Sequence, residues 1–226
     1  MEGKVVIITG ASGALGKIVA ASALAKGAKV AAIDHAASAE KPTADRIELG
    51  GVDLTEPAQA NKAVDAAASH FGRLDALVNI AGGFAFETAV DGDPKTWHRL
   101  YALNVLTALN ASRSAIPHLA ASGAGRIVNV GAMGAIAAGA GMGPYAASKA
   151  GVHRLTEALA AEWKGKITVN AVLPSIIDTA ANRASMKDAD FSKWVRPEEL
   201  AEVILFLTSD AASAVTGALL PVNGRV

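Results

Sequence analysis

Short apolar runs alternate with longer stretches of helical periodicity along this 226-residue chain. Residues 4–9 (KVVIIT) form the first run, and a helical stretch follows at 15–26 after a glycine-rich turn. Further runs fall at 28–33, 47–49, 76–79, 126–130, 167–173 and 218–222, with helical patterns at 57–71, 94–121, 145–163 and 197–207. Continuous, β-branched apolar runs mark strands buried on both faces, as parallel strands are. Such an alternation predicts an α/β fold. It would be a Rossmann-type, doubly wound, seven-stranded parallel sheet, with right-handed crossovers and helices on both faces. The polar stretches 35–46 and 178–193 are too short to be domain linkers, so residues 1–226 read as a single domain. The first is barely long enough for a parallel crossover and leaves room only for a vestigial helix. The second follows the sixth strand, where a substrate loop over about 178–195 would act as a lid; a plain surface loop is the alternative.

Composition narrows the class. Hydrophobic residues make up 51% and charged ones 19%, the balance of a soluble globular chain. Cysteine is absent, which excludes a disulfide scaffold, a thiolate metal site and a cysteine nucleophile. Lys+Arg and Asp+Glu both number 21, so no net field recruits nucleic acid or an anionic membrane. The opening apolar run is too short for a signal peptide or a membrane span. The expectation is a cytoplasmic protein acting on a small molecule. None of the histidines pairs at metal-binding spacing, so no metal is expected and solvated or helix-face roles are assigned to them.

The turn Thr9-Gly10-Ala11-Ser12-Gly13-Ala14-Leu15-Gly16 follows the first strand and opens the first helix. Glycines there allow a tight turn and close approach of a pyrophosphate to the helix N-terminus, with its free N–H groups. Asp34 ends the second run, where a carboxylate can accept both hydroxyls of an adenosine ribose and repel a 2′-phosphate. No Arg or Lys stands at 13 or 35 to offset that repulsion, so the cofactor is read as NAD(H). A solvated strand-end carboxylate is the alternative. Asp53, placed where the third strand would end, could bond the adenine amino group. Tyr145 and Lys149 stand four apart in Y-A-A-S-K, on one helix face. A free phenol titrates near pH 10, and an ammonium one turn away is expected to lower that value and make an acid–base pair.

With these motifs in hand, the chain resembles the short-chain dehydrogenase/reductase family from residue 4 to residue 224. The matching stretches are T-G-x-x-G-x-x-G (9–16), Asp53 with Leu54, N-I-A-G (Asn79, Ala81, Gly82), Asn104, Tyr145, Lys149 and P-S-I-I-D-T (Pro174, Ile177, Thr179). The resemblance implies a hydride-transferring oxidoreductase in which Tyr145, Lys149 and Asn104 are catalytic. Asn104 would hold a water linked to Lys149, Lys149 would also hold the nicotinamide ribose, and Thr179 would bond the carboxamide. Of the residues that bind the cofactor, Gly10, Ser12, Gly13, Ala14, Leu15, Gly16 and Asp34 would serve the adenosine and diphosphate. The resemblance also implies a homodimer or homotetramer associating through 94–121 and 145–163.

The chain departs from the family at four places. Ala14 stands for the usual middle glycine, Ile80 for the second asparagine of N-N-A-G, and V-N-G for the closing V-D-G. Most consequential, Ala132 occupies the place of the catalytic serine, and Ser148 and Ser112 are positioned too differently to replace it. The chain is then a weakened enzyme, a silent NAD-binding regulatory or scaffold protein, or an enzyme whose substrate needs no such donor. The third reading has support in a similarity to dihydropteridine reductases, which also lack the serine. It rests on A-G-G (81–83), G-A-M-G, G-M-G-P-Y before Tyr145, and above all 171–194. Such a substrate would carry a conjugated imine, contacted by Ala132 and by Asn182, Met186 and Trp194 of the lid.

Overall fold

Every apolar run holds a strand and every helical pattern holds helix, the pattern over 94–121 in pieces. The computed structural model describes residues 1–38 and 41–226. In chain order the elements are β1 (Val5–Thr9), α1 (Ala14–Ala25), β2 (Lys29–Ile33), β3 (Arg46–Leu49), α2 (Pro57–Phe71) and β4 (Ala76–Asn79). They continue with α3 (Pro94–Tyr101), a π-helical turn (Ala102–Leu106), α4 (Thr107–Ala121), β5 (Gly125–Val130) and α5 (Gly143–Glu162). β6 (Ile167–Pro174), α6 (Ala180–Ser185), α7 (Pro197–Thr208) and β7 (Leu219–Val222) complete the order. All seven strands pair in parallel in the order β3-β2-β1-β4-β5-β6-β7.

The two-residue period of β1 builds both layers. Val6 and Ile8 face α1 and α7, meeting Val19, Ala23, Leu200 and Ile204. Val5 and Ile7 face α2, α4 and α5, meeting Val64, Ala67, Ala115, Leu119 and Leu159. All four β1 side chains are at most 1% exposed. Each such burial contributes roughly 1.5–3 kcal/mol, so the central strand is fixed from both sides. Strand order reverses between β1 and β4, and the crevice beyond their carboxyl ends is where this topology admits a ligand.

The structure corrects the sequence reading at two points and details it at two others. The helix expected over 94–121 is broken into α3, the π-helical turn and α4. A π-turn inserts one residue into the helical register, and it is where Asn104 turns inward to 1% exposure. The described residues between β2 and β3 form no helix, while Ala39 and Glu40 of that stretch lie outside the described residues. Asp53 lies four positions beyond the end of β3 rather than on it. The 178–195 segment is not a plain loop. It holds α6 and a 3-10 turn at Phe191–Lys193, and a parallel bridge between Ile177 and Val195 ties its two ends. Among the described residues, no helix is long and apolar enough to cross a membrane.

Candidate active site

At the crevice, β1 leads into a turn whose glycines are required by its geometry. Gly10 has φ +66°, and a Cβ there would lie 2.8 Å from the Ala81 nitrogen. A Cβ on Gly16 would lie 2.2 Å from the Gly10 carbonyl oxygen. Gly13 is less constrained: a Cβ there would meet only that oxygen, at 3.2 Å. No side chain caps α1, so its first N–H groups are left to an anion. The adjoining cleft has a volume of about 780 Å³. It is lined by Gly10, Ser12, Gly13, Ala14, Leu15, Gly16, Asp34, Asp53, Leu54, Ala81 and Gly82, all expected from the sequence. Arg99 also borders it, a cation that the sequence reading missed.

Asp34, just beyond β2 on the cleft wall, is held by two backbone donors. Ser12 N–H donates to Oδ2 and Ala36 N–H to Oδ1, each at 2.9 Å. Asp53 is braced by Thr55, whose N–H and hydroxyl both donate to Oδ1 at 2.9 and 2.7 Å, and these bonds hold its pKa below the ordinary value. A Gly-rich turn, an uncapped helix N-terminus and a carboxylate beyond it suit a dinucleotide's diphosphate and ribose. The residues present fit that cofactor.

The second half of the site is built on α5. Tyr145 lies in its first turn, half-buried, with Phe84 packed edge-on at 4.9 Å. Lys149 follows one turn later at 6% exposure, its Nζ donating to the Val130 carbonyl at 2.7 Å. Gly82 links the two halves: a Cβ on it would lie 2.4 Å from Asn104 Oδ1 and 3.5 Å from Lys149 Nζ. Burial pushes the Tyr145 phenol up to about 12 and the Lys149 ammonium down to about 8. The expected lowering of the phenol by Lys149 is therefore not found; burial dominates, and Tyr145 carries its proton at neutral pH.

Several expected residues sit differently. Asn104 uses its side chain as a brace: Oδ1 accepts from Gly83 N–H at 2.9 Å, while Nδ2 donates to the Gly83 carbonyl at 3.0 Å and to Ser148 Oγ at 2.8 Å. Asn79 points into the core at 4% exposure, its Nδ2 donating to Ser112 Oγ and Asn129 Oδ1, so its side chain does not reach the cleft. Trp194 is 3% exposed and Pro174 is buried as well. The Ile177–Val195 bridge tucks Trp194 under the segment, so it packs there instead of covering a substrate. Asn182 Nδ2 donates to the Ile177 carbonyl at 2.8 Å and its N–H to Thr179 Oγ1 at 3.2 Å. Asn182 thus shapes the loop, and the Thr179 hydroxyl keeps its own proton to donate. Met186 is partly buried, and Ala132 is 5% exposed two residues beyond β5.

Phe84 and Phe86 were missed by the sequence reading. They are 57% and 64% exposed in the loop after β4, and Phe86 lies over Gly141 of the approach to Tyr145. Two of the chain's five phenylalanines beside Gly82-Gly83 were the available signal.

Comparison with known proteins agrees with this geometry. The family model for the short chain dehydrogenase matches residues 4–190. The 2-(S)-hydroxypropyl-CoM dehydrogenase 3 of Xanthobacter autotrophicus is 32% identical over 99% of this chain and 96% of its own. The 3-ketoacyl-(acyl-carrier-protein) reductase of Brucella melitensis, solved with NADH, is 33% identical. It superposes with a TM-score of 0.87, covering 99% of this chain and 98% of its own. Carveol dehydrogenase of Mycobacterium avium, solved with NAD, gives 0.88 at 28% identity, covering 99% of this chain and 97% of its own. The chain belongs to the short chain dehydrogenase family and is an NAD-dependent oxidoreductase.

Proposed function

We propose that the protein reduces a flat, conjugated imine or carbonyl of the dihydropterin type, using NADH, with Tyr145 as proton donor. The observation that carries this reading is Ala132. A buried methyl stands where the family places a serine hydroxyl, so that position offers no side-chain donor to a localised oxyanion. A conjugated ring spreads the incoming charge and needs such a donor less than a simple ketone does. The exposed phenyl rings of Phe84 and Phe86 beside Tyr145 supply apolar faces suited to a flat ring. The resemblance of 171–194 to the dihydropteridine reductases points the same way.

The nicotinamide supplies the hydride when NADH is bound. The α1 N-terminus and Asp34 hold the diphosphate and ribose ends. Tyr145 Oη gives its proton to the substrate heteroatom as charge develops there, and the Lys149 ammonium, one turn away, offsets the phenolate that remains. Asn104 keeps Gly83 and Ser148, and so the base of α5, in place. The competing reading, a silent NAD-binding scaffold, shares Ala132 but gives no role to a protonated tyrosine beside a buried lysine. Steady-state consumption of NADH with quinonoid dihydropterin, quinones and simple ketones separates the two. Turnover with the dihydropterin supports the proposal, and binding of NADH without turnover of any of them overturns it.

Cofactor choice is a separate expectation. The cleft shares Ser12, Asp34 and Ala36 with a smaller hollow of about 320 Å³ that Lys17 and Arg46 border. Cations are therefore nearer than positions 13 and 35 alone suggested, but Asp34 forms part of the wall of both hollows. NADH should bind at least about tenfold tighter than NADPH, ~1.4 kcal/mol. Equal dissociation constants would show that Asp34 does not face the ribose.

We also infer a homodimer or homotetramer. Trp97 and Tyr101 on α3 are 45% and 50% exposed, beside the α4 and α5 faces that the resemblance assigns to association. A light-scattering mass of one chain would reject this.

A further inference from the structure

Helix α5 grips the end of β5 with two side chains one turn apart. Lys149 Nζ donates to the Val130 carbonyl at 2.7 Å, and His153 Nε2 accepts from the Ala132 N–H at 3.3 Å. His153 is 3% exposed, contrary to the solvated or helix-face roles expected of the histidines. A Cβ on Gly131 would lie 2.5 Å from its Nε2, so glycine at 131 is what lets the ring reach the backbone. An N–H can only donate, so Nε2 must present its lone pair and the neutral imidazole must carry its proton on Nδ1. Burial, with the charges of Arg154 and Lys149, holds the imidazole below its ordinary pKa and keeps it neutral.

We infer that His153 is a positioning residue for the reaction. It pins Ala132, and through the same three residues of backbone it fixes the Val130 carbonyl on which the Lys149 ammonium rests. Without the imidazole, the Ala132 N–H is left buried with no partner, and the 130–132 segment shifts to find one. A displacement of about 1 Å at a reacting centre is enough to lower a rate by about 10²-fold. The inference rests on the reading of Tyr145 and Lys149 as the proton-handling pair, and it adds to that pair a residue that touches neither substrate nor cofactor.

Two variants and one spectrum test it. His153→Leu is expected to lower kcat by about tenfold to 10²-fold while the NADH dissociation constant stays within about twofold. His153→Gln, whose Oε1 can accept the same N–H, is expected to recover most of kcat. The ¹⁵N spectrum of the wild-type imidazole should show the proton on Nδ1. Equal kcat in the leucine variant and the wild type would overturn the inference. So would equal losses in the leucine and glutamine variants, or a proton on Nε2. Should the leucine variant fail to fold, the glutamine variant and the spectrum decide. A wild type that binds NADH and turns over nothing sinks the functional reading instead, and the spectrum then judges the clamp alone.

Discussion

Replacing Tyr145 with phenylalanine is expected to lower turnover by about 10²–10⁴-fold, the range lost with a positioned proton donor. The phenyl ring keeps the edge-on packing against Phe84, so NADH affinity and thermal stability should change little. The pH profile follows from the two perturbed groups. Burial holds the phenol protonated up to about 12, so the donor is not lost in the neutral range. The Lys149 ammonium loses its charge as pH rises through about 8, and with it the counter-charge to the phenolate. Reduction is therefore expected to be level below about pH 8 and to fall above it. A rate unchanged in Tyr145→Phe would remove Tyr145 from the chemistry. A rate that climbs through pH 8 would contradict the role given to Lys149.

Ala132→Ser is expected to raise activity on simple ketones by up to about 10²-fold, the usual worth of one donor to a developing oxyanion. On a conjugated imine the same change should do little or harm, because the charge is spread over the ring. The added oxygen enters a site that is 5% exposed, so it also loses water unless it finds a partner. The comparison to make is kcat/KM on both substrate types in both proteins. If the serine improves both equally, Ala132 is a plain defect and the conjugated-substrate reading loses its physical support.

Much of this architecture is written locally in the chain. β1 and β4 are continuous apolar runs because both faces are covered, and a run of that kind admits few other environments. The Gly10–Gly16 turn is legible because backbone atoms would stand 2.8 and 2.2 Å from any Cβ at its two ends, which excludes a side chain there. Tyr145 and Lys149 are legible because a four-residue spacing places them on one face. The misses have a common physical source in contacts between distant segments. Nothing in the periodicity of 94–121 marks the π-turn, because the apolar positions before and after it each still read as helix, and only packing decides where the added residue is taken up. Trp194 lies in a polar segment and reads as a lid residue over a substrate until the Ile177–Val195 bridge folds it inward. Asn79 reads as a cleft residue in the sequence, and only the pairing of β4 with β5 reveals its partner Asn129. His153 has no chelating neighbour in sequence, and its partner, a backbone N–H, carries no sequence signal at all.

The central claim is that this chain carries out hydride transfer without the family's serine. A single-turnover experiment tests it most directly: protein saturated with NADH is mixed with excess quinonoid dihydropterin, and NADH absorbance is followed. The expected result is oxidation of one NADH per chain in the wild type, at a rate at least about 10²-fold above that of Tyr145→Phe. NADH that remains bound and reduced in the wild type would contradict it.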